Sequence, residues 1–98
     1  MERIRILALR QSEYPDLSKD LENPLGEPCC LKLGSVFYSE GGIPEGFCPE
    51  AWKSLAPFVV SLLNGEEPIP GWMKNKKQAL VSCNDGFRPM SFLLERVP

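Results

Sequence analysis

The stretch Cys48-Pro49-Glu50-Ala51-Trp52-Lys53-Ser54-Leu55-Ala56-Pro57-Phe58-Val59-Val60-Ser61-Leu62-Leu63-Asn64-Gly65 decides the fold. Trp52, Leu55, Ala56, Val59, Leu62 and Leu63 recur at the i, i+3, i+4, i+7 spacing of one buried helical face. Pro49 suits the first helical position, where its missing N–H costs nothing. That makes Cys48 the N-cap. Asn64-Gly65 is a stop signal, because glycine accepts the left-handed conformation that follows a helix. The spacing therefore predicts a helix over Pro49–Leu63. Pro57 inside it removes one backbone donor and predicts a kink or a break into two short helices.

Strand patterns flank this helix. In Arg3–Arg10, Ile4, Ile6 and Ala8 alternate with Arg3 and Arg5, and Leu7 and Leu9 then join the apolar set. This predicts a strand that is polar at its start and buried on both faces later. Gln11–Glu27 is polar and holds Pro15 and Pro24; a short helix over Asp16–Glu22 fits within it. Gly26-Glu27-Pro28 marks a turn, and a short apolar run, Cys29–Leu33, follows. Val36, Phe37 and Tyr38 give Ser35–Ser39 strand character. After a loop over Glu66–Lys77, Gln78–Cys83 and Pro89–Val97 read as two strands. Asn84-Asp85-Gly86 between them is a hairpin signal. In the last strand Met90, Phe92 and Leu94 share one face, with Ser91, Leu93 and Glu95 on the other. The fold class expected is α+β: a small antiparallel sheet with one main kinked helix packed on one face, burying Ile4, Ile6, Val36, Leu80 and Phe92.

Ninety-eight residues suit one domain, 1–98, with 43% hydrophobic and 24% charged residues. A net charge of −2 gives no footprint for nucleic acid or an anionic membrane. No apolar run reaches the roughly 20 residues of a membrane helix, and no signal peptide is legible, so a cytoplasmic location with reduced thiols is expected. The chain has no histidine. Ser-His-Asp and Cys-His catalysis within this chain are thereby excluded.

Four candidate constellations remain. Cys48 sits where free helix amides favour a thiolate, which suits nucleophilic, redox or ligand chemistry; the plainer reading is a small buried residue beside Phe47 and Trp52. Cys83 and Arg88 stand at one end of the hairpin, where a guanidinium can hold an anion; in the plainer reading Asp85 shapes the turn and Arg88 pairs with it or with Glu95. Cys29 or Cys30, with Cys48 and Cys83, form a ligand set for zinc or an iron–sulfur cluster if folding gathers them, although no Cys-x-x-Cys pair is present. Trp72, Met73 and Lys74 make an aromatic anchor with a basic rim, suited to a protein partner, or a loop whose Trp72 folds back onto the core.

Several of these runs also carry a resemblance. Gly46-Phe47-Cys48-Pro49-Glu50-Ala51-Trp52, Trp72-Met73-Lys74, and Cys83-Asn84-Asp85-Gly86-Phe87-Arg88-Pro89 followed by Phe92-Leu93-Leu94-Glu95-Arg96 resemble the hallmarks of a family of bacterial and archaeal proteins of about this size. The opening Arg5-Ile6 strand is similar too. The resemblance implies a single domain with recurrent cysteines at Cys48, Cys83 and near Cys29 or Cys30, and no assigned activity. Members often have Cys-Pro where this chain has Cys29-Cys30.

With no histidine, no phosphate loop and no paired carboxylates on one identified face, the leading expectation is a non-enzymatic binding or accessory module with a larger protein partner. The rival is a thiol-based redox or metal protein using Cys48 and Cys83 with Cys29 or Cys30. A third option is a small-ligand pocket between helix and sheet near Arg88. No cofactor is required by any of these motifs.

Overall fold

The computed structural model describes residues 2–23 and 31–98. In chain order the elements are β1 (Arg3–Gln11), α1 (Pro15–Leu21), β2 (Val36–Ser39), α2 (Pro49–Leu63), β3 (Gln78–Ser82) and β4 (Met90–Val97). The strands form one antiparallel sheet in the order β2-β1-β4-β3. This is the expected α+β arrangement, with α2 on one face. The turn expected at Gly26-Glu27-Pro28 lies outside the described residues, as do Cys29 and Cys30.

Residues paired across an antiparallel ladder share a face, so register decides what is buried. Ile4, Ile6 and Ala8 of β1, Ala79 and Val81 of β3, and Met90, Phe92 and Leu94 of β4 pack against Ala51, Leu55, Val59 and Leu62 of α2. Phe37 joins their edge. Two residues expected in this core are not there. Val36 pairs with Leu7, and Leu80 pairs with Leu93, on the opposite face. The core positions belong to their neighbours Phe37, Ala79 and Val81. The double-sided burial expected late in β1 also fails: Leu9 is 48% exposed and sits at a bulge between Ala8 and Arg10.

The main helix runs unbroken over Pro49–Leu63, with Pro57 on its exposed side. Its buried stripe includes Ala51 in place of Ala56, a rotation of one position. The N-terminus is fixed by a hydrophobic staple: Phe47, just before the cap, packs edge-on to Trp52, four residues after it, with ring centroids 6.2 Å apart. Phe47 also meets Phe37 at 5.0 Å and Phe92 at 5.4 Å. At the far end Gly65 takes φ +78°. The last turn has no basic residue of its own, and Arg96 of β4 supplies the cation, donating to the Leu62 carbonyl at 3.1 Å.

Candidate functional site

The hairpin tip grips the start of α2. The Asn84 side chain donates to the Glu50 carbonyl at 3.1 Å and hydrogen-bonds the Ser54 hydroxyl. This puts Cys48 and Cys83 at the same end of the molecule. Both are free and half-buried, and both pack against the core. Cys48 is the N-cap, its carbonyl accepting from the Trp52 amide at 3.0 Å, but its side chain makes no capping bond. The Cys83 sulfur accepts from the Met90 amide at 3.2 Å, while the Cys83 amide donates to the Met90 carbonyl at 3.0 Å. That sulfur therefore closes the mouth of the hairpin. Among the described residues no three of His, Cys, Asp and Glu gather as a metal site.

Arg88 already holds an anion from its own chain. Its guanidinium makes a two-pronged pair with Glu22 at 2.8 and 2.7 Å, the fork geometry that suits carboxylate. The pairing expected with Asp85 or Glu95 is replaced by one across 66 residues. Asp85 shapes the turn, as the plainer reading expects, accepting the Phe87 and Arg88 amides at 2.8 and 3.2 Å. The Glu22 carboxyl is held below its ordinary range, chiefly by the hydrogen bond from Arg88, and Arg88 is raised by the same bond. With the Tyr14 amide donating to the Phe87 carbonyl at 2.9 Å, this pair ties α1 to the hairpin. Nothing in α1 is buried.

Trp72 satisfies both of its readings in part. One side of the ring packs on Phe58 at 6.1 Å, and 40% of the residue stays exposed. Met73 is half-buried and Lys74 exposed. The loop is fastened by Glu67, which accepts the Gly71 amide at 2.9 Å and pairs with Lys76 at 3.8 Å. The depression beside Trp72, lined by Glu67, Ile69, Met73, Lys76 and Gln78, is too shallow to enclose a water molecule.

The surface that sequence reasoning missed is the sheet face away from α2. Val36, Leu7, Leu93 and Leu80 are consecutive partners across all four strands. They form one apolar row perpendicular to the strands, with Val36 and Leu80 at its ends more than 40% exposed. On one side lies a polar row in which Arg5 pairs with Glu95, Gln78 donates to Glu95 at 3.2 Å, and Arg3 stacks 4.0 Å over Tyr38. On the other lie Arg10, Ser91 and Ser82. Among the described residues no helix packs over this face. The signal was present in the sequence: Leu7, Leu80 and Leu93 each alternate with a better core residue, and only the register aligns them.

Comparisons with family models, with curated proteins and with solved structures find no match to this chain. No helix of the described residues is long and apolar enough to cross a membrane.

Proposed function

We propose that the chain is a small non-enzymatic binding module whose docking surface is the open face of its sheet. The observation that carries this reading is the Val36–Leu7–Leu93–Leu80 row, a stripe of aliphatic side chains bordered on both sides by polar rows. An apolar centre with a polar rim is the anatomy of a protein interface. The neighbouring polar groups are already paired with one another, so they lose few solvent bonds when a partner covers the stripe. The described thiols serve packing and the hairpin mouth, and Arg88 serves the α1 tether.

The test is affinity capture from the native host with wild type and Leu80→Glu. A charge placed in the apolar stripe is left desolvated and unpaired when a partner covers it, so the same partner is expected to be lost from the variant. Val60→Glu, on the exposed side of α2, is the control and keeps the partner. Equal capture by wild type and Leu80→Glu would overturn the reading, as would a monomer with no partner at all.

A further inference from the structure

Resting on that docking reading, we infer that the open face takes an acidic amphipathic helix of a partner protein, laid across the strands along the Val36–Leu7–Leu93–Leu80 stripe. Two independent features of the face point to this occupant. The first is spacing. The stripe takes one side chain from each of four strands, and neighbouring strands lie about 4.8 Å apart. A helix presents side chains of one face every 5.4 Å or so along its axis, one per turn. Its i, i+4, i+7 and i+11 residues therefore meet Val36, Leu7, Leu93 and Leu80 in turn. An added strand lying along the same line would present its residues about 6.7 Å apart and fall out of step after two contacts.

The second feature is charge. The chain carries −2 overall, yet the face is positive. Arg3, Arg5 and Arg10 all stand on it, and Glu95 is the acid that answers Arg5. Arg10 is exposed beyond the stripe on one side; Arg3 and Arg5 lie beyond it on the other. Flanking rows sit about 7 Å from the stripe along the strands, within reach of the polar shoulders of a helix about 10 Å across. Carboxylates on one shoulder meet Arg10, and on the other they meet Arg3, whose guanidinium lies over Tyr38; Arg5 is already held by Glu95. The same positive rows disfavour a second copy placed face to face, because like charges then oppose across the interface.

The experiment uses the intact chain and a helical peptide of about four turns. The peptide has leucine at i, i+4, i+7 and i+11 and glutamate on both flanks, with a twin in which every glutamate is lysine. Fluorescence polarisation at low salt is expected to show the glutamate peptide binding at least about tenfold more tightly than its twin, a preference that shrinks as salt is added. Leu80→Glu and Arg10→Glu are each expected to weaken binding about tenfold or more, with Val60→Glu unchanged; circular dichroism confirms that each variant is folded. The inference is overturned if neither peptide binds, if the lysine twin binds as well, or if Val60→Glu weakens binding as much as Leu80→Glu. A dimer in light scattering that Leu80→Glu dissolves, or displacement of the peptide by single-stranded nucleic acid, also overturns it by naming another occupant. In the dimer case the docking face stands and only its occupant changes. If Leu80→Glu leaves every captured partner in place, the docking reading falls first.

Discussion

The two faces of this sheet are built from alternating residues of the same strands, yet they obey different rules. The inner face is dry and filled by Ile4, Ile6, Ala79, Val81, Phe92 and Leu94 against one helix. The outer face is held together by rows: a polar row centred on Arg5 and Glu95, and beside it an aliphatic row left half in solvent. The first face is where folding free energy concentrates, because apolar area is fully removed from water there. The second keeps its apolar area available, and in a small domain that is a cost in stability unless something else covers it. Neighbouring residues on one strand thus stand in different surroundings, and single substitutions can separate the two faces.

The largest separation is expected on β3. Ala79→Glu puts an unpaired carboxylate where the residue is now fully buried, and the cost exceeds about 4 kcal/mol. That is enough to abolish the cooperative thermal transition. Leu80→Glu, one residue on, meets solvent and shifts stability by about 1 kcal/mol or less. Equal loss from both variants would mean that the outer face is covered in the free protein. On β4 the same contrast is expected with smaller amplitude. Phe92→Ala removes a ring packed against Phe47 and costs about 3–5 kcal/mol. Leu93→Ala on the open side costs less, about 1–2 kcal/mol, since the residue is only part-buried. Urea unfolding of the pair measures the difference.

How far these faces were legible depends on what fixes them. The bounds of the α2 helix were readable because its cap position, apolar stripe and glycine stop are all local signals between Cys48 and Gly65. Met90, Phe92 and Leu94 were readable because alternation along one strand settles which residues share a face. Val36 and Leu80 were misassigned for a reason of the same kind. In Val36-Phe37-Tyr38 and in Ala79-Leu80-Val81 every residue is apolar or aromatic, so composition cannot choose the inward one. Pairing with Leu7 and Leu93 makes the choice, and pairing is a long-range property. The Glu22–Arg88 pair was invisible for the same cause, with 66 residues between its partners.

The thiols allow a finer test of the boundary between structure and chemistry. Cys83 takes the Met90 amide on its sulfur at the mouth of the β3–β4 hairpin. Cys83→Ala leaves that donor without its acceptor and is expected to cost about 1 kcal/mol. Cys83→Ser keeps an acceptor at the same place and is expected to recover part of the loss. If alanine and serine behave alike, the sulfur contact contributes nothing, and the residue is again a candidate for reactivity.

The smallest effect is expected where a segment is tethered by charge instead of by burial. α1 has no buried residue and is held to the hairpin by Glu22 with Arg88. Arg88 lowers the carboxyl below its ordinary value, so the folded form binds that proton less readily than the unfolded chain does. The tether therefore contributes fully at neutral pH, down to the ordinary carboxylate value near 4.3, and is lost as pH falls through the lowered folded value. Glu22→Gln removes it at every pH. The variant should melt slightly below wild type at pH 7, and the two curves should converge as acid protonates Glu22 in the wild type. Amide exchange should report the same convergence locally, at the Tyr14 amide that bonds Phe87 and not in the core of β4. A gap that widens in acid, or faster exchange throughout the sheet, would show that this pair supports the inner face after all, and the division between the two faces would no longer hold at this end of the molecule.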